Sequence, residues 1–142
     1  MIESGRVFSG RYELDVQVST PLGIAVWKAT DKLLNRAVRI YLMESHDPRV
    51  RGILNRSLAV SQHSERDAIS ILDVIESGKI EDIDKNYIAI ITEWVEGKSL
   101  DQKLISEDVL TSSEALVLIS HIVVALNSAH QNNVAHGRLR PH

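Results

Sequence analysis

The stretch Ile91-Thr92-Glu93-Trp94-Val95-Glu96-Gly97-Lys98-Ser99-Leu100 separates a strand-rich part of the chain from a helix-rich part. It completes a nearly continuous apolar run over residues 87–94, which is typical of a strand buried on both faces. Ser99 and Gln102 follow as a capping box, which predicts a short helix. We therefore expect a sheet before this stretch and helices after it.

The segments upstream of this stretch favour an antiparallel meander. Residues 12–18 alternate apolar and polar side chains, which is the period of a half-buried strand. Two more strands are predicted at 24–30 and 36–42, and turns at 19–23 and 31–35 separate the three.

A helix and a further strand are predicted between the meander and the opening stretch. Asp47-Pro48 has the composition of a helix start, with Asp as the cap and Pro in the first turn. The helix would place one face against the sheet at 3.6-residue spacing, formed by Val50, Ile53, Leu54, Ser57, Leu58 and Ser61. Residues 68–75 favour a strand, and residues 77–85 a polar loop.

A long helix is predicted after a second capping box, Thr111 to Glu114, and it continues to about Asn132. Its apolar stripe consists of Ala115, Leu118, Ile119, Ile122, Leu126 and Ala129. The most apolar part, residues 115–126, is interrupted by Ser120 and His121 and is too short to cross a bilayer. We therefore expect no membrane contact by this segment itself.

Composition excludes several classes of function. The 142 residues are 44% apolar and 25% charged, as in a soluble globular domain, and the net charge of −3 gives no electrostatic reason to expect nucleic-acid binding. The absence of Cys excludes disulfides and thiolate metal sites. Asp82-x-Asp84-x-Asn86 has calcium-loop spacing, but Tyr87 occupies the position where such a loop needs Gly, so we expect no metal.

Three strings within this order of elements resemble parts of a protein kinase. Ala25-Val26-Trp27-Lys28-Ala29-Thr30-Asp31 is similar to the sequence after the Gly-rich loop of bacterial Ser/Thr kinases, and Ala37-Val38-Arg39-Ile40 is similar to Val-Ala-Ile-Lys of the third strand. The opening stretch resembles the hinge. His136, Leu139 and Pro141 match the frame of the catalytic loop.

The chain is therefore identified as a member of the protein-kinase-like superfamily, similar to the N-terminal portion of degenerate actinobacterial Ser/Thr kinase-like domains. The resemblance implies an α+β fold. Residues 11–95 would form a small lobe with a five-stranded antiparallel sheet and one helix. Residues 96–142 would form the hinge exit and the first two helices of a truncated large lobe. Residues 1–10 would be a flexible lead-in, and we expect a longer parent protein.

The resemblance also implies a vestigial nucleotide cleft, with Thr92 as gatekeeper. Its candidate residues are Val18, Val26, Ala37, Thr92, Glu93 and Val95. The Gly-rich loop aligns on Ser19, Pro21 and Ile24, so all three glycines are replaced. Because Pro21 has no N–H and glycine permits the closest backbone approach to phosphate, this loop should bind phosphate poorly and form an ordinary hairpin turn. We expect no cofactor, and ATP only as a weak ligand.

The charged positions of the resemblance carry arginines. Arg39 stands at the third-strand Lys and Arg56 at the helix Glu that normally pairs with it; residues 48–64 contain no Asp or Glu. Arg138 stands at the catalytic Asp and Arg140 at the following Lys. A guanidinium with a pKa above about 12 cannot accept a proton near neutral pH, so these degenerate positions favour an inactive domain.

The leading hypothesis is a catalytically inactive kinase-like domain that acts in regulation and protein interaction. Two alternatives stay open: an atypical Ser/Thr kinase whose remaining motifs lie beyond residue 142, and an ATP-binding sensor. By resemblance alone, the partners would be an active Ser/Thr kinase or a phosphothreonine-reading domain, and the location cytoplasmic, as a domain of a membrane protein in some relatives. The uncovered large-lobe face also predicts self-association.

Overall fold

The computed structural model describes residues 2–61, 68–106, 109–131, 133–135 and 139. In chain order its elements are β1 (Val7–Phe8), β2 (Tyr12–Ser19), a 3-10 turn (Pro21–Gly23), β3 (Ala25–Asp31), β4 (Arg36–Glu44), α1 (Val50–Ser61), β5 (Ile71–Lys79), β6 (Asn86–Glu93), α2 (Leu100–Ser106) and α3 (Ser112–Gln131).

The strands form one antiparallel sheet in the order β1-β2-β3-β4-β6-β5. This confirms the predicted meander of β2, β3 and β4. It also confirms that β6 is buried on both faces, since every residue from Tyr87 to Thr92 is buried. The predicted five-stranded sheet is present, with β1 added at one edge.

The prediction of a flexible lead-in over residues 1–10 is wrong for β1. Val7 pairs with Glu13 of β2, and Phe8 forms a bridge to Ile80 just beyond β5, at the opposite edge of the sheet. Backbone hydrogen bonds from Ser9 N to Lys79 O (2.8 Å) and from Glu81 N to Val7 O (3.0 Å) complete the closure. Two residues are too short for a periodicity to show, so the pairing was not evident from the sequence.

The curled sheet has a core on each face. One core, inside the curl, contains Phe8, Tyr12, Leu14, Trp27, Ala29, Val38, Ile40, Leu42, Ile80, Tyr87, Ala89 and Ile91. The other packs Met43, Ile88 and Ile90 of the sheet against Val50 of α1. Because side chains alternate along a strand, Val38 and Ile40 face the first core while Arg39 and Tyr41 lie on the face that also carries α1.

Two predicted boundaries differ from the structure. The helix predicted from Pro48 begins at Val50, and the Asp47 carboxylate accepts a hydrogen bond from Arg49 N at 2.9 Å. β5 extends to Lys79, where a polar loop from residue 77 was predicted, because a register shift between Ile75 and Gly78 keeps the strand paired to β6. A bulge of this kind leaves no alternation for a sequence pattern to detect.

Both capping boxes predicted from the sequence are confirmed. Glu114 accepts a hydrogen bond from Thr111 N at 2.9 Å, Glu114 N donates to Thr111 Oγ1 at 3.3 Å, and Ser99 N donates to Gln102 Oε1 at 3.1 Å. α3 runs for 20 residues and none of them is buried.

The statement that the apolar part of α3 is too short to cross a bilayer is corrected by the helix bounds. Ser112–Gln131 has 20 residues, and an 18-residue window within it has a mean hydropathy of 1.4, so the helix is long and apolar enough to cross a membrane by length and composition alone. Core helices of soluble proteins share this length and composition, so these two features alone do not place α3 in a membrane.

Asp31 anchors the meander at the β3–β4 turn. Its carboxylate accepts two hydrogen bonds from Arg11, Nε at 2.9 Å and Nη2 at 2.7 Å, and two more from Leu33 N and Leu34 N. The Asp31 side chain is 1% exposed. The Arg11 hydrogen bond lowers the pKa of Asp31 to about 2.

We predict that replacing Gly78 by Ala destabilises the fold. A Cβ at this position would overlap the ring of Phe8, which is fully buried, so the ring would have to leave its place over β5. Overpacking of this kind costs about 1–3 kcal/mol. Urea unfolding measures the loss. Gly52→Ala in α1 is the matched control: a Cβ there has nothing within 4 Å, so helix propensity should raise stability by up to about 1 kcal/mol.

Acid should destabilise the fold through Asp31. The folded-state pKa of about 2 is below the usual 3.8, so Asp31 contributes stability that is fully present above pH 4. That stability is lost as the pH falls towards 2, because the unfolded chain takes up the proton first. Thermal unfolding between pH 5 and 2 should show a shallower decline in Asp31→Asn than in the original chain. Asp84→Asn serves as a control: its side chain is 97% exposed, so solvent screening should leave the pH profile nearly unchanged.

Candidate functional site

The candidate site lies on the sheet face that also carries α1. Lys28 of β3, Arg39 of β4 and Thr92 of β6 are register partners across three adjacent strands. Register partners present their side chains on the same face, so these three residues form one row across the sheet. Arg39 is therefore placed beside the predicted gatekeeper Thr92, as the resemblance requires.

Trp94, the first residue after β6, lies over this row. The Arg39 guanidinium carbon is 5.1 Å from the centroid of the Trp94 ring, and Lys28 Nζ is 4.8 Å from it. Cations at such distances are attracted by the negative face of the indole. The ring therefore holds both cations of the row.

Glu96 completes the arrangement. Its Oε1 accepts a hydrogen bond from Trp94 Nε1 at 2.7 Å and lies 3.5 Å from Lys28 Nζ. We call these four residues, Lys28, Arg39, Trp94 and Glu96, the Trp94 cluster. Its contacts connect two strands to the segment that links β6 to α2.

Among the described residues, Arg39 has no carboxylate partner of the kind that a kinase lysine has. No ion pair involves Arg39 in the described part of the chain, and its buried Nε has no hydrogen-bond partner there. Arg56, aligned with the missing Glu, is exposed and donates from Nε to Gly52 O of its own helix at 3.2 Å. The sequence of α1 contains no carboxylate that could pair with Arg39.

The six predicted cleft residues differ in their exposure to solvent. Val26 and Thr92 are 4% and 6% exposed, so the chain itself covers them. Val18 lies in the irregular register between Gln17 and Ser19 and is exposed, as are Ala37 and Val95.

Glu93 is engaged with the neighbouring chain segment. Its carboxylate accepts a hydrogen bond from Ser70 N at 2.7 Å, and its N–H donates to Ser70 O at 3.1 Å. These two bonds fix the end of β6 against the residue before β5. Of the six residues predicted for the cleft, Glu93 therefore has a clear structural task within the sheet.

The connection aligned with the Gly-rich loop is a compact turn. Gly23 N donates to Thr20 O at 3.3 Å and Ile24 N to Pro21 O at 3.0 Å, so these N–H groups are used inside the turn. Gly23 has a φ of +80°, a conformation that glycine adopts without strain. The turn has the short hairpin form expected for a connection that contains Pro21.

The catalytic-loop positions cannot be compared with the prediction, because His136, Gly137, Arg138, Arg140, Pro141 and His142 lie outside the described residues. Leu139 is described and is exposed. Among the described residues, no group of three or more His, Cys, Asp or Glu side chains could hold a metal ion. The acidic turn is neutralised by its own cations: Asp82 pairs with Arg6, and Asp84 with Lys79 at 3.0 Å.

Sequence reasoning placed Arg39, Thr92 and Trp94 near a cleft but missed the Trp94 cluster. In the sequence, Trp94 belongs to the hinge-like stretch and Lys28 to the string after the Gly-rich loop, and neither received a role of its own. The available signal was that Thr92 and Trp94 are two residues apart and so tend to share a face. The β3–β4–β6 register, which brings Lys28 and Arg39 together, is not encoded in any local pattern.

Comparison with known proteins defines the class. No protein-family model matches the chain. It is 31% identical over 140 residues to the serine/threonine-protein kinase PrkC of Bacillus subtilis, covering 97% of this chain and 21% of PrkC. It is 29% identical over 143 residues to a probable serine/threonine-protein kinase of Clostridium acetobutylicum, covering 97% of this chain and 20% of that protein. The chain thus spans about a fifth of the length of these curated relatives.

The fold is that of a protein kinase small lobe with some large-lobe helices. The kinase domain of Mycobacterium tuberculosis PknI superposes with a TM-score of 0.76 at 18% identity, covering 99% of this chain and 55% of that domain. Over 97% of its length the chain is thus similar to bacterial Ser/Thr protein kinases, in agreement with its kinase-like fold.

Protein kinases bind ATP together with Mg²⁺, and the described residues of this chain fit those two ligands poorly. Val26 and Thr92 are covered by the chain, α1 offers no carboxylate, and Arg39 is stacked on Trp94.

Proposed function

We propose that the chain forms a catalytically inactive kinase-like domain that works in regulation by binding other proteins. The observation that carries the proposal is the environment of Arg39. At the position of the phosphate-binding lysine there is a guanidinium that pairs with no carboxylate in the described part of the chain and stacks instead on Trp94. Arg and Lys are not interchangeable at a positioned site, since the planar guanidinium has a different reach and geometry.

The chemistry of phosphoryl transfer supports the same proposal. The reaction needs bound phosphates, held Mg²⁺ and a residue that orients the nucleophile and accepts its proton. By the resemblance, Arg138 stands where that acceptor would be, and a guanidinium has no free lone pair for a proton. Residues 48–64 contain no acid for the helix position either. Each replacement substitutes a positive group for a negative one.

An active or nucleotide-sensing protein is the second candidate. It is favoured by the names of the relatives, which are Ser/Thr kinases, and by the small share of their length that the chain spans. In that case the remaining catalytic groups would come from sequence beyond residue 142. ATP would then contact the β6–α2 segment around Val95, which is exposed.

For the partners, we propose an active Ser/Thr kinase or a phosphothreonine-reading domain, and for the location the cytoplasm. The support is the similarity to bacterial Ser/Thr kinases. For the chain itself we further propose self-association through α3, whose exposed apolar side chains include Leu116, Val117, Ile119, Val123 and Val124. Monomeric soluble proteins rarely expose a continuous apolar surface of this size.

A thermal-shift titration with ATP separates the two candidate functions. We expect 1 mM ATP to leave the melting temperature nearly unchanged with or without Mg²⁺. A ligand with a micromolar Kd, present at a hundred times that Kd, would add about 2.7 kcal/mol to the free energy of unfolding. This would raise the melting temperature of a domain of this size by several degrees. A clear Mg²⁺-dependent rise, or transfer of labelled phosphate from ATP to a protein acceptor, would contradict the proposal. A rise that is independent of Mg²⁺ and without transfer would favour the sensor.

Self-association should depend on α3. Light scattering of the 142-residue chain should show a mass above 15.9 kDa that rises with concentration. Leu116→Glu, which places a charge on the exposed apolar surface, should move the mass towards that of the monomer. Leu33→Glu is the matched control, because Leu33 is exposed at the β3–β4 turn, away from α3. A monomer at high concentration in the original chain would rule the association out.

A further inference from the structure

We propose that Trp94 is an intramolecular plug over an anion site formed by Lys28 and Arg39, which binds phosphate groups only when the indole swings away. The proposal concerns access to the site and holds whether or not the chain transfers phosphate. Its ligand class is inorganic polyphosphate.

The first argument is the placement of the two cations. Lys28 and Arg39 are register partners on adjacent strands, so their side chains leave the sheet side by side on one face. Two neighbouring cations repel each other, and an anion between them would relieve that repulsion. In this structure the electron-rich face of Trp94 occupies that place, at 4.8 and 5.1 Å from the two side chains.

The second argument is the unsatisfied donor of Arg39. Its Nε is buried and has no hydrogen-bond partner among the described residues. A π face attracts the charge of a guanidinium but does not replace an oxygen acceptor for a buried N–H, and an unmade hydrogen bond of this kind costs free energy. A phosphate oxygen would supply the acceptor. The closed arrangement therefore satisfies the charge of the row and leaves its hydrogen bonding incomplete.

The third argument is that the plug is held by contacts of its own. Glu96 accepts the indole N–H at 2.7 Å and pairs with Lys28 at 3.5 Å, so one carboxylate holds the ring and one of the cations under it. Trp94 lies outside the sheet ladder, and Gly97, with a φ of +149°, follows three residues later. The ring can thus move without breaking a strand pair, whereas Lys28 and Arg39 are fixed by the sheet.

The test measures binding of inorganic tripolyphosphate by calorimetry, so that no contact of an adenine ring contributes. Trp94→Ala should bind about tenfold more tightly than the original chain, since both cation–π contacts and the indole hydrogen bond are removed from the closed form. Trp94→Phe is the graded control: it keeps an aromatic face over the cations but loses the indole N–H that Glu96 accepts, so its affinity should lie between those of Trp94→Ala and the original chain. Lys28→Gln in the Trp94→Ala background should abolish the gain.

Equal affinities in Trp94→Ala and the original chain would overturn the proposal. Because Trp94→Ala could lose its fold, a second measurement uses the unaltered chain. Ring-current shifts and nuclear Overhauser contacts should connect the Trp94 indole protons to the side-chain methylenes of Lys28 and Arg39, and these should weaken on addition of tripolyphosphate. Their absence in the free protein would equally refute the plug. Phosphate transfer from ATP would contradict the proposed function while leaving this result untouched.

Discussion

The contact between Phe8 and Gly78 is the constraint on which the rest of the structure depends. Phe8 lies on the backbone of β5 where a Cβ would exclude it, and its strand is paired to β2 at the other edge of the sheet. The curl that results encloses the larger core and turns the opposite face of β3, β4 and β6 towards α1. The bridge also pairs the C-terminal end of β5, which would otherwise be part of an open sheet edge.

The closed sheet is a rigid support for charges that do not match phosphoryl transfer. Asp31 and Arg11 fix the β3–β4 turn, and this turn sets the register that places Lys28 beside Arg39. Two cations held side by side need compensation, and in a kinase a carboxylate of the helix supplies part of it. Here α1 has no acid, and the segment after β6 supplies Trp94 and Glu96 instead. The hinge-like sequence and the charges that differ from those of a kinase thus lie within one small cluster.

The order of elements and the kinase-like class were predictable from the sequence, because each depends on local patterns. Alternation revealed β2, turn residues separated it from β3 and β4, an apolar run revealed β6, and two capping boxes marked α2 and α3. The sequence did not reveal the parts without a local pattern, which are the two-residue β1 and the bulged end of β5 that reaches Lys79. Of the candidate site, Arg39 and Thr92 were found because a motif carries them, whereas Lys28 has no motif.

What the sequence determined by itself is the identity of the charges: arginines at positions 39, 56, 138 and 140, and no acid over residues 48–64. These facts need no coordinates, since a guanidinium keeps its charge in any fold. What only the tertiary structure decided is which groups meet. Trp94 contacts Lys28 although 66 positions separate them, and Phe8 contacts Gly78 across the whole sheet. Such long-range contacts depend on strand register and on the closure of the sheet, and both arise only when the whole chain packs.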